Sequence, residues 1–319
     1  MPNPLLESYL SGQYREVWHN LIALGPAVRG EQHYKDAAAV ATETMKRARH
    51  NLELIIPKLE KLGYEFTQEA DDSNQLRSFL RPETDAQKAI REKYLSPDFV
   101  PQNDHDKAMV VKLKSIDAMK QIMTRHAGFF AKIQESAAAR EQKESSRKRR
   151  SQLAIPDVFR PATHSSKKYL DRFERKLGGP LPMSLRSWYE QVEAVNLMGH
   201  HETLNPKSDS EAPDPVVIDP LREAVEAWFG KDLEFEQNEI ELPLSPDEVH
   251  KSFASGGDPY AMKLPDLAAD GAFLNERHRT TFVSYLRIVF QWGGFPGWEK
   301  AAHRPQKELD YLRENLLAI

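Results

Sequence analysis

The sequence predicts an α+β fold whose helices and strands are segregated along the chain. Two observations carry that expectation. Before about residue 150, apolar residues recur at steps of three and four over long stretches, the spacing of one helix face. After Pro156 the texture changes to short, strand-like segments separated by proline and glycine. No repeat at a fixed period is present, which argues against a solenoid or propeller.

The first strong stripe begins near Asp36 and runs through Val40, Thr44, Ala48, Leu52, Ile55, Leu59 and Leu62, with charged residues between. Pro57 predicts a kink or break near Ile56, because proline lacks the amide hydrogen that a helix interior needs. Gly63 reads as a left-handed cap, leaving residues 64–66 extended. Residues 68 to 103 are polar and punctuated by Pro82, Pro97 and Pro101, the signature of a linker or mobile loop. A second helix opens at Asn103 or Asp104, with Ile116, Met119, Met123, Ala127, Phe130, Ile133 and Ala137 on its stripe. It runs into a charged tail containing Arg147, Lys148, Arg149 and Arg150.

Beyond Pro156 the pattern predicts a helix over 166–177 and another just past Pro182. The second turns Leu185 and Trp188 inward and Ser184 and Arg186 to water. Strands follow at 216–218, 233–235, 240–244 and 260–264; the third alternates apolar and polar residues as a half-buried strand does. The Ser255-Gly256-Gly257-Asp258-Pro259 stretch reads as a tight turn. A helix over 276–292 (Phe282, Leu286 and Val289 inward) stops at Gly293-Gly294, and Pro305 opens a last helix carrying Leu309, Leu312 and Leu316. Three regions result: 1–67 helical, 68–155 linker and inserted amphipathic helix with a basic tail, and 156–319 an α+β domain.

Composition narrows the function classes. A net charge of −4 over 319 residues argues against a nucleic-acid footprint covering the surface. The basic run at 147–150 is diluted by Glu141 and Glu144, and no aromatic residue is interleaved for base stacking. The absence of cysteine removes disulfides, thiolate zinc sites and thiol nucleophiles. The N-terminus lacks a signal-peptide pattern, and no run approaches the roughly 18 apolar residues of a membrane span, so a cytoplasmic protein without membrane contact is expected.

Catalytic and metal motifs are equally scarce. Neither a nucleophile elbow, a phosphate-binding loop nor a dinucleotide fingerprint occurs. His200 and His201 lie near Glu202 and Asp214, but neighbouring side chains on extended backbone point to opposite faces and do not converge on a metal. No catalytic, cofactor-binding or metal-binding residue is therefore assigned, and no cofactor is expected.

The stretch FERKLGGPLPMSLRSWYEQVEAVNLMG resembles the opening of a SUKH-superfamily domain. The resemblance is carried by a helix ending at Leu177, the turn Gly178-Gly179, then Leu181-Pro182, and a second helix with Leu185 and Trp188-Tyr189. Later segments, DPVVIDPL, LPLSPDEVHKSFASGGDPYAMKLP and FVSYLRIVFQWGGFPGW, and the leading segment DAAAVATETMKRARHNLELIIPKLEKLGYEF are similar in kind, so the likeness spans about 30–66 and 160–300. The sequence departs from the pattern at 194–199, where Ala194-Val195-Asn196-Leu197-Met198-Gly199 replaces an Asn-Gly turn. The family includes fungal cell-wall-synthesis regulators and bacterial toxin-immunity proteins. The resemblance implies a central, mainly antiparallel sheet of four to six strands flanked by helices, acting as a binding module without catalysis.

The expected function is accordingly protein binding, as an immunity or antitoxin-like protein that neutralises a toxin in a bacterial conflict system. A regulatory scaffold or interaction hub is the alternative, with self-association through the long helices, and an enzyme with an unrecognised site is the third reading. The expected partner surface comprises Trp292, Phe295 and Trp298, held by a glycine-rich loop, and the turn bearing Asn196, His200 and His201.

Overall fold

Thirty-one residues of helix, Glu31–Lys61, form the spine of the fold. The computed structural model describes residues 4–66, 158–206, 213–229, 239–251 (Val249 by its backbone alone) and 258–319, with the isolated positions 93–96, 99, 101 and 110. The chain divides into two compact units, one made of Met1–Gln68 and Pro156–Ile319, the other of Glu69–Ile155. In the second unit the Tyr94 and Phe99 rings lie 4.8 Å apart. Nearly all of the expected linker at 68–103, and the helix and basic tail expected at 104–150 (its backbone at Val110 aside), lie outside the described residues, as do the strand at 233–235 and Ser255 to Gly257 of the expected turn.

The first unit is an α+β fold. Of its N-terminal helices, α1 (Pro4–Leu10) packs on the spine helix α3 (Glu31–Lys61), and α2 (Tyr14–Ala23) packs on α1 and reaches α3 through Trp18. Of the expected stripe, Val40, Thr44, Ala48, Leu52, Ile55 and Leu59 are buried and Leu62 is partly covered. The helix starts before Asp36, whose carboxylate accepts from the Leu5 and Leu6 amides at 2.8 and 3.1 Å and so caps α1 from a distance. Buried Thr44 accepts from Trp18 Nε1 at 3.0 Å, which satisfies the indole of α2 inside the core. Pro57 does not break α3. It sits on the exposed face, as does Glu53, so the carbonyl it deprives of a partner can turn to water. Ile55 and Leu59 on the opposite face keep the last turn docked.

Gly63, at φ 81°, ends the helix, and β1 (Glu65–Phe66) pairs antiparallel with β4 (Gly199–His200). A Cβ at Gly199 would lie 2.4 Å from the Glu65 carbonyl oxygen, so this pairing requires glycine there. The other strands are also antiparallel: β2 (Phe159–Arg160), β3 (Ala194–Asn196) and β5 (Val217–Ile218) in one ladder, β6 (Ile240–Ser245) and β7 (Tyr260–Leu264) in another. Strand content is thus divided among three short ladders in the described residues. In β6 only Glu241 is exposed, so that strand is buried on both faces more than its alternation implied.

The helices α4 (His164–Leu177) and α5 (Met183–Gln191) follow β2. Thr163 and Ser166 form a reciprocal capping box at the start of α4, and left-handed Gly178 ends it. Along α5, which packs on α3, Leu185 and Trp188 face inward as expected. Ser184 does not face water: it is fully buried, and its hydroxyl donates to Asp270 at 2.6 Å. Helical periodicity could not announce a partner 86 residues away. Arg186 is half-exposed and pairs with Asp171, Glu174 and Glu190.

The helix expected over 276–292 is shorter, α8 (Phe282–Gln291). Residues before it are held otherwise, because the Phe273 amide donates to the Thr280 carbonyl and Ala272 bridges Thr281. Leu181, Leu185, Trp188, Phe282, Leu286 and Val289 lie in one core, where Trp188 and Phe282 meet edge-on at 5.6 Å. Two further helices, α6 (Leu221–Phe229) and α7 (Glu248–Lys251), border the β5–β6 region, and α9 (Gln306–Arg313) returns to α3. Asn51 fixes the final residues by accepting from the Leu317 amide and donating to its carbonyl at 2.7 and 2.9 Å. No described helix is long and apolar enough to cross a membrane.

Candidate functional site

The aromatic loop expected to meet a partner is part of the core. Phe295 is completely buried, Trp298 is nearly so, and Trp292 is only 7% exposed. Gly294, at φ 100°, lets the chain turn against Leu197, whose Cδ1 would lie 2.9 Å from an added Cβ. Phe295 then inserts beside Tyr64, ring centres 5.7 Å apart, and Trp298 Nε1 donates to the Leu204 carbonyl at 3.1 Å. The guanidiniums of Arg304 and Arg313 lie over the Trp292 ring, 4.6 and 5.9 Å from its centre. The glycines constrain this loop for packing, and burial removes Trp292, Phe295 and Trp298 from any partner surface of the folded chain.

Asn196, His200 and His201 are half-buried and occupied locally. Asn196 Oδ1 accepts from the Met198 amide, an Asx turn. His200 Nδ1–H donates to the Asn205 carbonyl at 3.1 Å. His201 Nε2–H donates to the Leu62 carbonyl at 3.1 Å, so its Nδ1 is the acceptor for the Thr203 and Leu204 amides. The two rings serve separate backbone contacts, and His201 ties the end of α3 to this turn. Among the described residues no group of three or more His, Asp or Glu side chains is arranged to hold a metal ion.

A second constellation has no signature in the sequence. Asp214, in the left-handed region at φ 52°, is fully buried and accepts from Lys251 Nζ at 2.8 Å and Tyr260 Oη at 3.1 Å. The ammonium of Lys251, also fully buried, lies 4.3 Å from the Tyr260 ring centre. Nearby, Arg277 pairs with Glu248, and His278 bridges Glu276 and Glu299. Burial pushes the Asp214 carboxyl up, while Lys251 pulls it back down. Burial also raises the hydroxyls of Tyr260 and Tyr285 far above the ordinary tyrosine range, which keeps both protonated. Acid, ammonium and phenol face one another, and Asp214 and Lys251 offer no exposed side-chain surface to an external substrate. The arrangement ties the loop at 213–216 to α7 and β7.

Asp270 is another buried carboxylate. It accepts from Ser184 Oγ and from the Val283 amide at 3.1 Å, joining α5 to the N-terminal turn of α8. Burial raises its carboxyl to about 6 against the opposing hydrogen bonds. The positive end of the α8 dipole is well placed for an acid.

Among the described residues, sequence reasoning missed an exposed aromatic side chain. Trp228 is 60% exposed near the end of α6. It continues the stripe of Leu221, Ala224 and Val225, which are buried, at helical steps of three and four. Periodicity therefore places Trp228 in the core, and only the tertiary arrangement reveals that the end of this stripe is uncovered.

Comparison with protein-family models, with characterised proteins and with solved structures finds no match to this chain.

Proposed function

We propose that this chain is a non-catalytic protein-binding module of the immunity or antitoxin kind, which docks on a protein toxin and neutralises it. The observation that supports binding is Trp228. A large aromatic side chain in core register, left mostly open by its own fold, is suited to act as an interface anchor, since tryptophan supplies contact area at low entropy cost. The burial of the Asp214–Lys251–Tyr260 cluster supports the same reading against an enzyme, because its acid, ammonium and phenol are directed at one another and the first two have no exposed side-chain surface. The toxin-directed part rests on the SUKH resemblance of residues 173–199.

Co-expression with the protein encoded by the neighbouring gene tests the proposal. The expected result is relief of that protein's growth inhibition and co-purification of the two chains. A neighbour that inhibits growth and is neither bound nor relieved by this chain would overturn it.

A further inference from the structure

We infer that α4 and α6 together form a docking face for an acidic protein segment; this deepens the protein-binding reading above and rests on it. The two helices pack against each other. Lys167, Lys168, Arg172, Arg175 and Lys176 are all exposed on α4, and Arg222 is exposed on α6. The only acids within α4, Asp171 and Glu174, are both engaged by Arg186, and Glu174 also accepts from the Leu181 amide. They do not form the ion pairs that would neutralise the basic row. The result is a positive helix face on a chain whose net charge is −4.

Helix electrostatics accounts for part of that row. Arg175 and Lys176 stand in the last turn of α4, where cations favour the dipole. Lys167 and Lys168 stand near the opposite, positive end, and the first turn contains no acid to offset them. Arg222 is the second residue of α6, also near a positive helix end, and the one acid of that first turn, Glu223, is paired with Arg160 at 2.8 Å. Folding alone does not favour cations at these positions, whereas an anionic partner does. The site is also partly organised in advance. The Arg222 guanidinium lies 4.9 Å from the ring centre of buried Tyr169, and Arg172 acts on the same tyrosine. Stacking holds a planar fork in place before a carboxylate arrives, which lowers the ordering cost of binding.

Carboxylates on a protein fit this face better than a nucleic-acid backbone. Asp171 and Glu223 are exposed among the cations, and Glu226 lies close enough to Tyr169 to oppose the two arginines electrostatically. A continuous phosphate chain would meet these acids in turn, while discrete Asp and Glu side chains can be spaced between them. Trp228, on the same helix as Arg222, adds apolar contact that a protein segment can use.

The test uses the full chain and fluorescein-labelled decaglutamate as the acidic probe, titrated at about 20 mM and about 150 mM salt. The triple variant Lys168→Glu, Arg172→Glu, Arg222→Glu is compared with Lys35→Glu, Lys46→Glu, Lys61→Glu, which changes net charge equally on the exposed side of α3. Wild type should bind the probe in a salt-sensitive manner, the first variant at least about ten-fold more weakly, and the second within about two-fold of wild type. The triple Lys168→Gln, Arg172→Gln, Arg222→Gln covers the case in which charge reversal impairs folding, and it should weaken binding in the same direction. Equal losses in the α3 and α4–α6 variants, or tighter binding of a single-stranded DNA decamer than of decaglutamate, would overturn the inference. In the co-expression assay, a charge-reversed chain that protects as well as wild type refutes this docking face and leaves the protein-binding reading intact. Failure of the wild type there, with decaglutamate binding intact and mapped to α4 and α6, overturns only the earlier reading.

Discussion

Replacing Asp270 with asparagine should remove a specific pH dependence of stability. The folded chain holds a proton on this buried carboxyl up to about pH 6, whereas an unfolded aspartate releases it near its ordinary value of 3.8. Between these values the native state binds more protons than the unfolded state, so rising pH destabilises it through this group. The contribution is fully present below about pH 4 and lost as pH passes 6. The interval from 3.8 to about 6, at about 1.4 kcal/mol for each pH unit, gives about 3 kcal/mol. The asparagine would keep an oxygen to accept from the Val283 amide and would bury no charge. Urea melts of both proteins from pH 4 to 7 should show the stability difference, wild type minus Asp270→Asn, falling by about 3 kcal/mol across that window. A difference that stays constant within about 0.5 kcal/mol would refute the net cost of burying this charge and would mean that the Ser184 and Val283 donors offset it completely.

Other perturbations probe the core and the internal ion pair. Lys251→Met leaves Asp214 buried without its cation and should cost about 3–5 kcal/mol in a denaturant melt, part of which the added change Asp214→Leu should recover. A loss under about 1 kcal/mol would mean that the pair is hydrated. Phe295→Ala should cost about 3–5 kcal/mol while leaving partner affinity per folded molecule unchanged, since the ring is completely buried; weaker binding without loss of stability would return this loop to the interface. Leu286→Ala should cost about 2–5 kcal/mol, and a change below about 0.5 kcal/mol in the same melt would place α8 wrongly.

Elements whose side chains answer to local spacing were legible in the sequence. The stripe from Val40 to Leu59, the Gly63 stop and the strand at 260–264 all follow from the period of their apolar residues and from the conformational freedom of glycine. Long-range partnerships were not legible. Ser184 looks solvent-facing until Asp270 is brought beneath it, and Asp214 looks like a loop acid until Lys251 and Tyr260 close over it. Trp228 shows the converse: its spacing fits the core, but it is 60% exposed, and no neighbour among the described residues covers most of it. The glycines of the loop at 292–298 do mark it as constrained, but constraint alone does not distinguish packing from docking. Burial does, and it places the aromatics inside.

The proposed anchoring of a protein partner by Trp228 is tested by isothermal titration of the co-purified partner into wild type and Trp228→Ala, with melting temperatures measured alongside. Removal of the indole should raise Kd at least about ten-fold, about 1.4 kcal/mol or more, with the melting temperature held within about 2 °C because the indole contributes little to the core. An unchanged Kd would contradict the anchoring.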